Sequence, residues 1–515
     1  MGNLMQILRH RSSVYFTLIL LGAAISGIGL TGCGSDHERN APSEQSQRAT
    51  QVSQEASQEP SQEANGTATG APSNAEGPGV AMSDTFIEDL VTRSYPYVAL
   101  YNVNNKFAAK QGGWNTCSAD TQLKDHTTRE IARPNNDTLY ISCLLDLRSE
   151  PVILKIPAFD SDYVSLMITA YDHYVNVPLS TRAGDFKKPL TLLLYSARTK
   201  NYDGAPVEGV DKIFEASGDF VSAVFRVMPH SQDKDRFAKI LEQMKSVTPA
   251  PLNAFLGKPA IPAESVDFPA VGETDVAVFG NNLFEVMQFV FNHTTFDPDN
   301  PEDQSVLALY KHFGIAPGNT FDPDKVANVD KRRIRDMAER ILKKGLASSA
   351  DDALMARLQP KMFQPKGQTD LETLLTVSIF GPIGLPMEEA VYPSITTADG
   401  KPMNAMHDYV LRMSANELPP AGAFWSLTLY DLKDGFFIPN ERKKYSVGQN
   451  AGMKLDDDGG ITIYIAKDKP DGVPEENWLP IERKDLDLSL TMRIYVPDLE
   501  KYANWTAPKV EQIDQ

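Results

Sequence analysis

Hydrophobic and polar residues alternate along residues 139–147. Leu139, Ile141, Cys143, Leu145 and Leu147 fall on one side, and Tyr140, Ser142 and Asp146 on the other. A period of two predicts a half-buried strand. It is launched from a polar turn: Pro134 biases Arg133 towards an extended backbone, and Asn135, Asn136 and Asp137 have short side chains that bond back to the main chain. The alternation returns at Val152/Leu154/Ile156 and at Val164/Leu166/Ile168/Ala170, then across residues 190–195 and 221–227. The links between the first three runs are about four to seven residues, whereas a parallel crossover needs roughly a dozen, so antiparallel pairing is expected.

Elsewhere the period is helical. Ser83-Asp84 is an N-cap signal, and Phe86, Leu90 and Val91 form a stripe up to Pro96. Ala99, Leu100, Val103 and Phe107 resume that stripe beyond an expected kink. Leu283, Val286, Met287, Val290 and Phe291 predict a further helix, Ile334, Met337, Ala338, Ile341 and Leu342 another, and Leu354, Met355 and Leu358 one more. Phe-Asp-Pro-Asp occurs at residues 296–299 and again at 321–324, each time as a helix entry. The last third returns to period two, most cleanly where Leu486, Leu488, Leu490, Met492, Ile494 and Val496 alternate with Asp487, Ser489, Thr491, Arg493 and Tyr495.

The expected architecture is therefore α+β and β-rich, with two antiparallel β-sandwich-like domains bracketing a helical insertion. An N-terminal β domain takes residues 83–274, a helical section 275–370 and a C-terminal β domain 371–515.

Residues 1–82 belong to neither domain. Arg9 and Arg11 precede an apolar run, and Leu30-Thr31-Gly32-Cys33 closes it. Charge, run and small residues in that order are the secretory pattern, and the run is too short for an ordinary membrane span. The tetrad resembles a bacterial lipobox, which implies a signal peptide at 1–32 and lipidation of Cys33. Residues 34–82 contain no aromatic residue, Leu or Ile, and are rich in Ser, Gln and Glu. They read as a disordered tether from 33 to 82, with a span on the order of 40 Å. The expected setting is the bacterial cell envelope, through a lipid anchor, with the outer membrane favoured over the inner because Gly34 follows the cysteine.

Charge narrows the partners. Without residues 1–32 the chain carries 48 Lys+Arg against 68 Asp+Glu, a net −20. That surface repels nucleic acid and anionic headgroups, so membrane contact is expected from the lipid alone. Cys117 and Cys143 remain after Cys33, and in an oxidising compartment they are either bridged or two buried thiols.

No enzyme template fits. The body lacks a Gly-x-Ser-x-Gly elbow, a Walker loop and a His-Glu-x-x-His helix. Ser231 and Lys234 match Ser-x-x-Lys without its companion motifs. Asp297, Asp299 and Asp303 resemble a calcium loop, but Pro301 and Glu302 occupy positions needed for a ligand and a turning glycine, and helix capping accounts for them. Neither a metal nor a cofactor is expected. What remains is a polar cluster at the first strand's mouth. Arg133 suits bidentate clamping of an anion, Asp137 a base or an orienting partner for His126, and Asn135, Asn136, Tyr140, Tyr171, Asp172 and Tyr174 a polar lining. A second surface gathers Trp425, Tyr430, Arg493 and Tyr495. In both places, ordinary loop closure and packing compete with a site.

Residues 133–140, the strand behind them and Tyr171-Asp172 resemble the module catalogued as domain of unknown function 1254. Glu389-Ala390-Val391-Tyr392-Pro393, Leu418-Pro419-Pro420, Phe424-Trp425-Ser426-Leu427-Thr428, Asn477-Trp478-Leu479-Pro480 and Arg493-Ile494-Tyr495 resemble its companion, domain of unknown function 1214. The resemblance implies a β-rich pair of modules with a helical insertion, often exported, and implies no reaction. The expected function is a tethered envelope lipoprotein that binds a small ligand, glycan or protein without catalysis. The alternative is an enzyme built around Arg133, Asp137 and His126, acting on an anionic or hydroxylated substrate.

Overall fold

The computed structural model describes residues 82–128, 133–348 and 351–513. The signal segment, Cys33 and the tether lie outside the described residues. The chain is mixed α+β, with 29% helix and 25% strand. No described helix is long and apolar enough to cross a membrane.

The first β module is two facing sheets. One runs Thr116–Ala119, Leu139–Asp146, Phe220–Val227, Val164–Thr169, Val175–Ser180, all antiparallel. The other runs Lys212–Ala216, Leu190–Ser196, Val152–Ile156, Thr248–Pro251. The alternating side chains of both sheets fill one core, which is why the period of two was so clear. The short links have a different role from the one expected. Leu139–Asp146 pairs with Thr116–Ala119 and Phe220–Val227, not with Val152–Ile156, so the link between these two strands crosses from one sheet to the other. Leu190–Ser196 and Lys212–Ala216 are parallel, as are two strand pairs of the C-terminal module. Cys117 and Cys143 lie directly opposite each other and are disulfide-bonded.

The helices form a second core. Asp84–Gln111 is one helix of 28 residues, continuous through Pro96. Packing explains this: Tyr95, Tyr97, Val98, Ala99 and Leu100 are all buried, against helices that include Asp275–Asn281, Leu283–His293, Lys331–Ser348 and Leu371–Phe380. Tertiary burial of that length outweighs one missing backbone donor. Tyr171 and Phe220 of the β module enter the same core.

In the C-terminal module a ten-stranded sheet folds over one core. At its centre Asp487–Pro497 pairs with Ala421–Asp431. The apolar side of Asp487–Pro497 faces that core, as the alternation predicts. Its polar side is also covered: Thr491, Arg493 and Tyr495 are buried. The turn at residues 133–138 covers Arg493 and Tyr495.

Candidate functional site: a buried polar seam beside an open cleft

Part of each candidate surface meets the other in one contact. Asn135 Nδ2 donates to Tyr495 Oη at 2.8 Å, and Ser426 Oγ donates to Asp137 Oδ2 at 2.6 Å. Arg493 Nη1 lies 3.7 Å from Asp137 and donates to Thr428 Oγ1 at 2.9 Å. Arg493 Nη2 donates to Tyr430 Oη at 2.8 Å, and that hydroxyl in turn donates to Pro134 O at 2.7 Å. Asp137, Ser426, Thr428, Tyr430, Arg493 and Tyr495 are no more than 2% exposed. The cluster is closed to solvent.

Local chemistry explains the shape of the turn. The Asp137 N–H donates to Asn135 Oδ1 at 2.7 Å, an Asx turn that sets the mouth of the strand. Arg133 departs from the extended backbone expected before proline and adopts φ +52°. Tertiary bonds hold it there: its N–H donates to Gly435 O at 2.7 Å and its carbonyl accepts from Arg493 Nη2 at 3.2 Å. Burial pushes the Asp137 carboxyl above its ordinary pKa, even with Arg493 and Ser426 pulling the other way. Burial opposes the charge on Arg493, but Tyr430, Asp137 and Tyr495 around it more than compensate, and its pKa stays above the usual guanidinium value.

Further ties cross the same seam. Glu389 is buried and accepts from Ser180 Oγ and Arg182 Nε at 2.7 Å each, and from Tyr163 Oη at 3.3 Å. Phe424 stacks on Tyr495 at 4.1 Å, with Tyr163 edge-on to Phe424. Arg226, 2% exposed, donates to the carbonyls of Ile383 and Gly384 and lies 5.4 Å from the Tyr140 ring centroid. Sequence reasoning missed Arg226. The available signal was a lone charged residue within the mostly apolar Phe220–Val227.

The remaining predicted residues are dispersed. His126 Nδ1 bonds Tyr445 Oη at 2.7 Å, Asp137 is sealed against Ser426 and Arg493, and the Arg133 backbone carbonyl accepts from Arg493. Tyr171 is in the helical core, bonded by Asn105. Trp425 is core, and Trp478 is buried with its indole N–H on Ala466 O. Asp297, Asp299 and Asp303 form the turn and helix entry expected of them: Asn300 caps Pro301–Lys311, and Asp303 accepts from the Asp297 N–H. Among the described residues no group of three acidic, His or Cys side chains is placed to hold a metal.

Asp172 and Tyr174 belong to a second buried cluster. Lys366 Nζ sits 2.7 Å from Asp303, 3.7 Å from Asp172 and 5.0 Å from the Tyr174 ring centroid. Beside Asp172, His173 is 2% exposed with φ +67°, and neither ring nitrogen has a hydrogen-bond partner. Burial lowers its pKa to about 4, so it is a neutral ring. These groups tie the sandwich to the helices.

What is open lies next to the seam. A cleft of about 330 Å³ is lined by both β modules: Leu123, Asn136, Ser231 and Gln232 from the first, residues 442–446, Asn450 and Glu475–Glu476 among others from the second. Ser231 clasps Asn450 through two hydrogen bonds, 3.1 and 2.9 Å, and so fixes one wall. Lys444 donates to Glu476 O at 3.0 Å, and burial lowers its pKa to about 8. Of the sequence candidates only Asn136 lines this cleft, because the rest of its wall comes from loops without periodicity.

Fold and seam together define a class of protein with two β modules locked through a buried Arg–Asp–Tyr cluster and packed against a set of helices. Residues 114–249 match the family model described as protein of unknown function (DUF1254), and residues 389–499 that described as protein of unknown function (DUF1214). The chain thus carries a DUF1254 module followed by a DUF1214 module. Its fold is similar to that of the VPA0106 protein from Vibrio parahaemolyticus, at 23% identity and a TM-score of 0.65, covering 84% of this chain and 100% of that one. An uncharacterized protein from Burkholderia cenocepacia matches at 12% identity and a TM-score of 0.39, over 82% of this chain and 87% of that one. No curated protein matches the chain.

Proposed function

We propose that this chain is a lipid-tethered protein of the bacterial cell envelope that binds a small hydroxylated ligand or glycan, without catalysis, in the cleft between its β modules. One observation carries the reading: the open cleft draws its polar lining from both modules, while the most chemically suggestive residues beside it are sealed. Ligand sites favour such junctions, where a few fixed polar groups converge. The buried seam then acts as the frame, holding the two halves of the lining in register. Lipidation of Cys33, export and outer-membrane placement are parts of the same proposal and rest on the lipobox resemblance. A thermal-shift panel of sugars, organic acids, aromatics and divalent metals tests the binding claim. A ligand at a hundred times its Kd adds about 2.7 kcal/mol of stability, and a panel without any shift overturns the reading.

A further inference from the structure

We propose that the ligand of this cleft is a small polyol bearing one negative charge, a hydroxycarboxylate of the sugar-acid class. Its anion sits on Lys443 and Lys444, and its hydroxyls meet the polar wall at Asn136. This rests on the reading of the cleft as a binding site.

The argument begins with what each lining group lacks. Ser231 and Asn450 already satisfy each other, and Tyr445 is bonded by His126. Arg442 is engaged too, with Nη1 2.6 Å from Glu475 and its guanidinium 5.1 Å from the Trp478 ring centroid. Asn136 differs. It is 8% exposed, and its Oδ1 is buried with no hydrogen-bond partner. A carbonyl oxygen in that state needs an O–H or N–H donor. Lys444 gives one of its three N–H donors to Glu476 O, and no other protein acceptor is recorded for it among the described residues. Lys443 is exposed beside it and held at φ +50°, an uncommon conformation for lysine that fixes where its side chain leaves the loop.

Charge sets the ligand's sign. The whole chain carries a formal −18, yet the lining holds Arg442, Lys443 and Lys444 against Glu475 and Glu476, one positive charge in excess. Asp125, near Lys443, stands outside the lining with its carboxylate on Thr127. A locally positive cleft in an acidic body concentrates anions at that place. The single excess charge matches a monoanion better than a phosphate dianion. The burial that brings Lys444 down to about 8 still leaves it mostly protonated at neutral pH. A volume of about 330 Å³ is at the small end for ligand pockets, in keeping with a single sugar unit.

Calorimetry on the full-length protein in detergent tests this with D-glucuronate and D-gluconate as probes, and D-glucose and inorganic phosphate as controls. We expect a sugar acid to bind at least tenfold more tightly than glucose or phosphate. Asn136→Ala and Lys444→Met should each weaken it at least tenfold. Lys443→Met, at an exposed position that cannot threaten folding, should weaken it severalfold. Glucose binding as tightly as the acids, with no effect of the lysine substitutions, overturns the anionic assignment and leaves the cleft as a neutral-ligand site. Sugar acids that bind without regard to Asn136, Lys443 and Lys444 overturn it as well. No binding by any probe overturns the assignment, and the broader panel described above then decides the fate of the cleft reading separately.

Discussion

Asp137 accepts a 2.6 Å hydrogen bond from Ser426 across 289 residues of chain, and its carboxylate lies 3.7 Å from Arg493. One aspartate from the first module thus meets an arginine and a serine from neighbouring strands of the second, all out of water. A group in this position is costly to bury alone and is tolerated because its partners are preplaced.

Removing one partner should therefore be severe. Arg493→Met leaves Asp137 buried without its cation and unbinds Thr428 and Tyr430 as well, and a loss of about 3–5 kcal/mol is expected. Asp137→Asn combined with Arg493→Met should be less damaging than the arginine change alone. Urea unfolding followed by tryptophan fluorescence measures both, and equal midpoints for the single and double variants would refute the coupling.

His173 makes stability depend on acid. Its folded pKa is depressed to about 4 from 6.5, so between those values the unfolded chain binds a proton that the folded chain does not. Stability is fully present above 6.5 and falls as the pH drops towards 4, by roughly 3 kcal/mol for this group. Asp137, Asp172 and Asp275 have raised pKa values from burial, and therefore contribute with the opposite sign above 3.8. The His173→Asn variant isolates the effect, since asparagine tolerates φ +67°. On raising the pH from 4 to 6.5 the variant should gain less unfolding free energy than the parent.

The Cys117–Cys143 disulfide joins an edge strand to its neighbour and closes a 26-residue separation. On the chain-entropy model, the double serine variant should lose about 3–4 kcal/mol. Thermal melts of oxidised and reduced parent protein, read beside that variant, check the figure. Reduction without any fall in Tm would show that the bridge contributes nothing.

Cys33→Ala tests the anchor. Cells given labelled palmitate should label the parent and not the variant. A parent protein that takes up no label, or a variant labelled as strongly as the parent, would refute lipidation at this residue.

How much of this was legible beforehand can be traced residue by residue. Leu139–Asp146 and Asp487–Pro497 were readable because burying one face of a strand imposes alternation directly on the residues. The Asx turn at Asn135 was readable for an equally local reason. Which strands pair was not, because a link of a few residues serves an in-sheet hairpin and a crossing between sheets alike. The polar face bearing Arg493 and Tyr495 looked like a surface, and its burial depends on a turn some 360 residues away.

The order of strands and helices, the two β regions, and the types of side chain available for a site were determined by the sequence alone, since these follow from local periodicity and turn chemistry. Only tertiary structure decided that parts of the two candidate surfaces meet in one sealed seam, and that the open ground lies beside it among Asn136, Lys443 and Lys444. Burial and electrostatic pairing are properties of neighbours in space, and no local pattern in the chain records who those neighbours are.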